Sequence, residues 1–112
     1  MIKATIISRG EKLSLRIEGH AEYAEEGKDI VCASASILAN VVAYKVSLLA
    51  RLGALKEPAI VKLESGDTEI TCVPSDSVYH PLAGVYEFAG TGFCLLAHDY
   101  PQYVEVTGDE DD

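Results

Sequence analysis

Three side chains in the first third of the chain could together perform nucleophilic chemistry: His20, Asp29 and Cys32. We predict that Asp29 caps a helix and that Cys32 lies in its first turn. Unpaired amides and the positive end of a helix stabilise a thiolate there and could donate to a developing oxyanion. His20 ends a predicted strand just before a glycine-bounded loop. A cysteine nucleophile with a histidine base is the minimum apparatus of a thiol hydrolase.

Each of these residues also has an ordinary structural explanation. A lone cysteine near a helix start can be a small buried hydrophobe, and a histidine at a strand end can lie at the surface. Capping alone would account for Asp29. Ser36 lies four residues after Cys32, so both side chains share one helical face. Gly19 and Gly27 bound the loop and can serve its backbone geometry alone. The residues by themselves leave an enzyme and a structural explanation open.

The elements that must position these residues follow from the apolar pattern. Strands are predicted at 2–8, 13–18, 59–63, 68–73 and 103–106, and helices from the Asp29 cap to about Leu52 and over 78–98, the second capped by Asp76 or Ser77. A polar, acidic loop is predicted over 19–28, and Gly53 is a plausible stop for the first helix. The predicted fold is α+β, with two helices packed on one face of a largely antiparallel sheet of four to five strands.

Length and composition are those of one globular domain. The 112 residues are 48% hydrophobic and 24% charged, which excludes a disordered chain. We assign residues 1–107 to a single domain and residues 108–112 to an acidic tail that we expect to be frayed and solvated. The three cysteines form no CxxC pair, so we predict neither a metal site nor a cofactor. Free thiols and the absence of a signal-peptide pattern favour a reducing cytoplasm.

The charge of the chain disfavours one class of partner. Nine basic against eighteen acidic residues give a formal net charge of −9. Nucleic-acid binders need clustered Lys and Arg to neutralise phosphates, so we predict no direct nucleic-acid contact and favour a basic protein partner. The apolar run over 30–50 contains Asn40 and Lys45, and it ends after about 20 residues. It therefore predicts a buried helix of a soluble domain and no membrane span.

The first predicted helix is apolar on more than one face. A helix that is hydrophobic on most sides of so short a chain needs cover beyond its own sheet. We therefore predict a homodimer in which this helix lies at or directly beneath the interface. The candidate interface residues are Ile37, Leu38, Val41, Val42 and Leu49.

Residues 19–36, GHAEYAEEGKDIVCASAS, closely resemble the signature of the ribosomal-processing cysteine protease family of bacteria (Prp-like proteases). That signature is a Gly-His-Ala step, a variable loop, Gly-x-Asp-Ile-Val-Cys-Ala, and a serine four residues after the cysteine. The matching residues here are Gly19, His20, Ala21, Gly27, Asp29, Ile30, Val31, Cys32, Ala33 and Ser36. The opening MIKATI and residues 98–106 also look like family sequence, so the resemblance covers nearly the whole chain.

The resemblance implies roles for the site residues. Cys32 would be the nucleophile and His20 the base, while Asp29 and Ser36 would support the site and Gly19 would keep the approach to the histidine open. It also implies a homodimer that removes the N-terminal extension of large-subunit ribosomal protein twenty-seven. Members of the family cleave after an aromatic pair within an otherwise apolar segment.

Two alternatives from other functional classes stay open. One is a non-enzymatic, ribosome-associated binding protein that kept the fold. The other is a thiol redox sensor in which Cys32 acts with Cys72 or Cys94, although the absence of a CxxC motif weakens it. On the sequence pattern, both of these other cysteines are predicted to lie in the core.

Overall fold

The computed structural model describes residues 1–110 and contains two helices on one face of a five-stranded sheet. The elements in chain order are β1 (Ile2–Arg9), β2 (Lys12–Glu18), α1 (Ile30–Arg51), β3 (Ile60–Glu64), β4 (Asp67–Cys72), α2 (Asp76–Asp99) and β5 (Val104–Glu110). The spatial order of the strands is β3-β4-β2-β1-β5. All neighbouring strands are antiparallel except β1 and β5, which are parallel. The predicted α+β class and its mostly antiparallel sheet are confirmed.

Strand β2 lies at the centre of the sheet and shows why the alternating pattern is informative. Leu13, Leu15 and Ile17 are buried beneath the helices. Ser14 and Arg16 point to the opposite face, where Arg16 donates to Glu69 across the sheet at 3.0 Å. Successive strand residues face opposite sides of a sheet, so one face is apolar and the other polar.

Helix α1 begins and ends where the sequence predicted. Asp29 caps its first turn, and Gly53, at φ +69°, follows its last residues. Only one stripe of the helix is buried, formed by Val31, Ala35, Ala39, Val42, Ala43 and Val46. By length and mean hydropathy alone α1 could cross a membrane, but in the fold its buried stripe packs against β4 and α2. The predicted deep burial therefore holds for one side of the helix.

Helix α2 is longer than the sequence predicted and starts earlier. Its cap position is Ser75, which makes no side-chain capping bond, so the predicted caps at Asp76 and Ser77 are wrong. The glycines do not break it, because two of them face neighbouring elements at close range. A Cβ at Gly92 would lie 2.6 Å from a methyl group of Leu38 on α1. Tertiary packing thus outweighs the low helix propensity of glycine.

The last strand also extends beyond its predicted end. Residues 108–110 continue β5 and pair with Ile6, Ile7 and Ser8 of β1. The expectation of a frayed tail is therefore wrong for these three residues, while residues 111–112 lie outside the described part of the chain. The open edge of β1 offers backbone donors and acceptors, and pairing satisfies them in spite of the acidic composition.

Candidate active site

The carboxylate of Asp29 joins the polar loop to the start of α1. Its Oδ1 accepts hydrogen bonds from the amides of Val31 at 3.0 Å and Cys32 at 2.9 Å. Its Oδ2 accepts from the amides of Tyr23 at 3.0 Å and Ala24 at 3.3 Å. Asp29 is thus the predicted helix cap, and it also fixes the loop against the helix that carries Cys32.

The ionisation of Asp29 follows from these contacts. Burial raises the pKa of Asp29, but the hydrogen bonds from the amides of Cys32, Ala24 and Tyr23 outweigh it, so the pKa lies below the usual aspartate value. The thiol of Cys32 adds a smaller hydrogen-bond contribution in the same direction. A buried carboxylate anion therefore lies at the helix end, in contact with the cysteine.

This arrangement corrects one expectation about the helix start. The amides of Val31 and Cys32 bond to the Asp29 side chain, and that of Ala33 bonds to the Asp29 carbonyl oxygen at 3.0 Å. These three amides are engaged within the chain and do not point at an incoming oxyanion. The prediction treats the first-turn amides as unpaired, whereas an ionised cap takes two of them directly.

The predicted site residues do come together around one depression. Two adjoining cavities, of about 160 and 500 Å³, share His20, Cys32, Ser36 and Ser65 in their walls, and we call them together the Cys32 groove. Gly19 lines the smaller cavity and Asp29 the larger one. All five residues that the sequence selected therefore lie around the groove, and Cys32 is partly exposed to it.

The turn between β3 and β4 forms a wall of this groove that sequence reasoning missed. Gly66 has φ +75°, and a Cβ there would lie 2.6 Å from Nε2 of His20. The carbonyl oxygen of Gly66 accepts from the amide of Gly19 at 2.9 Å, next to the histidine in sequence. The imidazole thus packs directly on the turn. The Ser-Gly-Asp sequence predicted a hairpin, but no local signal places it against His20.

Gly19 has a backbone reason of its own. Its φ is +89°, and a Cβ would come within 2.3 Å of the carbonyl oxygen of Met1. Both the left-handed conformation and the close approach of the N-terminus require glycine. The residue therefore sets the path of the chain directly before His20.

The loop between β2 and α1 is acidic but anchored. Glu22 and Glu26 line the larger cavity. The ring of Tyr23 packs edge-on against Tyr100 and Tyr103, with centroid distances of 5.5 and 5.2 Å. This aromatic cluster, which the sequence did not reveal, holds the middle of the loop while Asp29 holds its amides.

The two other cysteines lie outside the walls of the Cys32 groove. Cys72 is buried as predicted, 3.6 Å from the hydroxyl of Tyr86, and burial raises the pKa of its thiol. Cys94 is exposed on α2, so its predicted core position is wrong. All three thiols are free. Across residues 1–110, no three His, Cys, Asp or Glu side chains converge in a way that could hold a metal ion.

Comparisons with solved structures show where this fold has been seen. The ribosomal processing protease Prp from S. aureus, crystallised with a covalently linked product peptide, superposes with a TM-score of 0.71 at 23% identity, over 97% of this chain and 100% of that one. SMU.848 from Streptococcus mutans superposes with a TM-score of 0.69 at 26% identity, over 99% and 96% of the two chains. These similarities confirm the fold.

A comparison with curated proteins gives no significant match. A family model, described as cysteine protease Prp, matches residues 1–105, which is nearly all of the chain. The match agrees with the resemblance carried by residues 19–36, and the structure gathers the matching His20 and Cys32 at one groove. The chain therefore belongs to the cysteine protease Prp family and is a cysteine protease.

Proposed function

We propose that this protein is an endopeptidase that matures a ribosomal protein by removing the N-terminal extension of large-subunit protein twenty-seven. The observation that carries the proposal is the placement of Cys32 and His20 in the walls of one open groove. The sequence signature and the ribosomal processing activity in the name of the S. aureus relative support this substrate. The negative charge of the chain suits a basic ribosomal precursor.

The reaction runs through an acyl-enzyme. His20 takes the thiol proton of Cys32, and the sulfur attacks the scissile carbonyl carbon to form a C–S bond and an oxyanion. Collapse of this intermediate breaks the C–N bond, and the imidazolium gives its proton to the departing amine. Water then loses a proton to His20 and attacks the thioester carbonyl carbon, and the C–S bond breaks. The imidazolium returns that proton to the departing sulfur, which restores the Cys32 thiol and neutral His20.

The remaining predicted residues support this pair. Asp29 holds the loop and the helix start in one arrangement and thereby fixes Cys32 relative to the groove. Ser36, one helical turn further along α1, lines both cavities and can hydrogen-bond to substrate. Gly19 sets the course of the chain into His20.

We further propose that the protein is a cytoplasmic homodimer that needs neither cofactor nor direct nucleic-acid contact. The support for a dimer is an uncovered apolar face on α1, where Ile37 is 60% and Tyr44 is 65% exposed. The support for a reducing compartment is the state of the cysteines, all three of which are free thiols. The acidic balance of the chain argues against phosphate binding.

Mass spectrometry of the ribosomal precursor after incubation with the protein tests the function. We expect one cut that releases the N-terminal extension. Cys32→Ala should lower turnover about 10³-fold or more while the protein stays folded, and His20→Ala should also remove most activity, because the base and the leaving-group acid are lost together.

Cys94→Ser is the matched control, since it changes an exposed thiol outside the walls of the groove and should leave cleavage unchanged. Continued trimming by the Cys32→Ala protein would refute the nucleophile. A wild-type protein that binds the precursor without cutting it would favour the non-enzymatic, ribosome-associated protein.

A further inference from the structure

The outer edge of strand β3 is uncovered. In the part of the chain that the structure describes, residues 1–110, β3 is the terminal strand of the sheet and pairs only with β4. Three of its five residues are apolar and exposed: the exposed fraction is 50% for Ile60 and Leu63 and 40% for Val61. Exposed edge strands are normally protected by charge, proline or a covering element, because their free backbone groups invite another strand. Of these protecting features, the strand has two charged residues, Lys62 and Glu64, and no proline. Its edge can therefore accept another strand.

The register of the sheet shows which backbone groups of β3 point outward. Two-residue turns join β1 to β2 and β3 to β4, and the residues that close such a turn exchange both hydrogen bonds. Glu64 and Asp67 close the second turn, and hydrogen-bonded pairs alternate with non-bonded ones along an antiparallel ladder. Lys62 therefore bonds to β4, whereas Val61 and Leu63 direct their N–H and C=O groups away from the sheet.

The first hairpin gives the same answer independently. Arg9 and Lys12 close the turn between β1 and β2, so the even-numbered residues of β2 bond to β1 and the odd-numbered ones to β4. Ile17 then bonds to Thr68, which leaves Asp67 and Glu69 of β4 to bond to β3. Both hairpins thus assign the outward groups of β3 to residues 61 and 63.

The free edge leads directly into the Cys32 groove. Glu64, the last residue of β3, and residues 65–68, which follow it, line the smaller cavity of the groove. Leu63 pairs with Thr68 and Val61 with Ile70, so both side chains lie on the face of the sheet that carries the helices. Helix α1 lines the same cavity with Cys32 and with three further small side chains, Ala35, Ser36 and Ala39.

We propose that the free edge of β3 is the docking strand for the peptide substrate. An extended, apolar stretch of the substrate pairs with Val61 and Leu63 as a sixth strand, through their outward N–H and C=O groups. Its alternate side chains rest on the exposed side chains of these two residues, and the next residues of the peptide enter the groove beside His20 and Cys32. The choice of a peptide substrate as occupant rests on the proposed function.

The opposite edge of the sheet does not offer the same surface. Strand β5 has the sequence VEVTGDE, with three acidic residues in seven. It is separated from β3 by three strands, and its residues 104–108 line neither cavity of the groove. An apolar segment would therefore be guided to Cys32 by β3 and not by β5.

Amide hydrogen exchange tests the docking directly. The probe is a synthetic peptide of about ten residues that spans the cleavage site of the ribosomal precursor, and the protein is the Cys32→Ala variant. With peptide in excess, the amides of Val61 and Leu63 should exchange at least about 10-fold more slowly. The amide of Lys62, already bonded to β4, is the internal control and should not change.

N-methylation of the peptide gives a second readout that needs no change in the protein. In a docked strand, every second backbone N–H of the peptide faces β3. One peptide has methyl groups on these nitrogens and another has them on the nitrogens in between. Methylation of the nitrogens that face β3 should lower kcat/KM of the wild-type enzyme at least about 10-fold. Methylation of the nitrogens that face away from β3 within the docked stretch should leave kcat/KM nearly unchanged. Equal losses of kcat/KM for the two methylated peptides would overturn the docking strand.

The outcomes separate this inference from the proposed function. A peptide that is cut without protecting Val61 and Leu63 overturns the docking strand alone. A peptide that protects both amides but is not cut by the wild-type protein supports docking and overturns the protease function on this substrate. Protection without peptide that grows with protein concentration would assign the edge to a second copy of the chain and overturn the inference. A peptide that neither binds nor is cut overturns both.

Discussion

Asp29 is the residue on which the local arrangement of the site depends. It accepts two amides of the helix start and two of the loop through separate carboxylate oxygens. The helix cap alone would need only one of these oxygens. The second oxygen makes the same side chain a clamp between the acidic loop and Cys32, so its loss should affect both stability and activity.

We predict that Asp29→Asn lowers the free energy of unfolding at pH 7 by about 1 to 3 kcal/mol, because one carboxylate acceptor is replaced by a donor that faces amide donors. The pKa of Asp29 is lower in the folded chain than in the unfolded one. The carboxylate therefore stabilises the fold fully above about pH 4, the unfolded value, and this stabilisation is lost as the pH falls through the folded pKa. Urea unfolding of both proteins should show their difference shrinking below about pH 4.

Asp76→Asn is the matched control for that experiment. Asp76 also has a lowered pKa, caused by its hydrogen bond to Lys56, but its side chain is 90% exposed. Exposed ion pairs contribute little to stability. An equal loss of unfolding free energy in Asp76→Asn and Asp29→Asn would show that the buried hydrogen bonds of Asp29 contribute no more to stability than an exposed ion pair.

At the scale of elements, the site is an assembly of three chain segments that are distant in sequence. The helix start supplies Cys32, the end of β2 leads into His20, and the β3–β4 turn supplies the surface on which the imidazole packs. Gly66 is the contact point, since its missing side chain leaves the space that the ring occupies. The hairpin thus acts as a positioning element for the predicted base.

We predict that Gly66→Ala displaces the His20 ring and lowers kcat at least about 10-fold, with little change in KM, because the added Cβ would overlap Nε2. Gly10→Ala is the control for the strain of placing alanine at a positive φ. Gly10 also lies in a two-residue hairpin turn, at φ +55°, and a Cβ added there would meet no other atom within 4 Å. Both changes should cost about 1 to 2 kcal/mol of stability, and only Gly66→Ala should impair turnover. Steady-state kinetics of both variants, with unfolding curves measured in parallel, test this difference. An equal loss of kcat in Gly66→Ala and Gly10→Ala would argue against a positioning role of Gly66.

At the scale of the whole molecule, charge and apolar surface point to two kinds of partner. The chain has a net charge of −9, which attracts a basic precursor over long range. The helical face with Ile37, Val41 and Tyr44 exposes these side chains at 60, 49 and 65%, and Lys45 lies at its margin. So large an apolar surface suits a second copy of the chain.

We predict that cleavage of the full precursor slows as salt rises above about 0.15 M, where the Debye length is roughly 8 Å, because screening removes the long-range attraction. A short neutral peptide with the same cleavage site should respond less, since it has no basic body to attract. The measurement is kcat/KM for both substrates over a salt series. Identical salt dependence would exclude electrostatic steering.

We predict a homodimer at micromolar concentration with α1 at its interface. Of the five residues that the sequence named, Ile37 and Val41 are exposed, Leu38 and Leu49 are partly buried, and Val42 is core. Ile37 and Val41 should therefore make the contact, and Ile37→Asp with Val41→Asp should yield a folded monomer, because the charges would be desolvated in an apolar interface. Sedimentation equilibrium measures the mass, and a monomeric wild-type protein would contradict the prediction.

Features that depend on neighbouring residues could be predicted from the amino-acid order. The alternation of Leu13, Leu15 and Ile17 specified a half-buried strand, and Asp29 and Gly53 marked the two ends of α1, because periodicity and capping depend on residues within a few positions of each other. The signature around His20 and Cys32 indicated the family, and it selected candidate site residues that the fold then places around one groove. The two-helix, mostly antiparallel fold followed from the order of the elements.

Features that depend on contacts between distant segments could not be predicted in this way and became apparent in the folded chain. The position of Gly66 against His20, the parallel pairing that extends β5 to residue 110, and the uninterrupted course of α2 past Gly92 have no local signal. The engaged amides at the helix start were likewise missed, because the sequence does not show which donors an ionised cap will take. The outward groups of β3 follow from the register of four strands together, so they become visible only when the whole sheet is assembled.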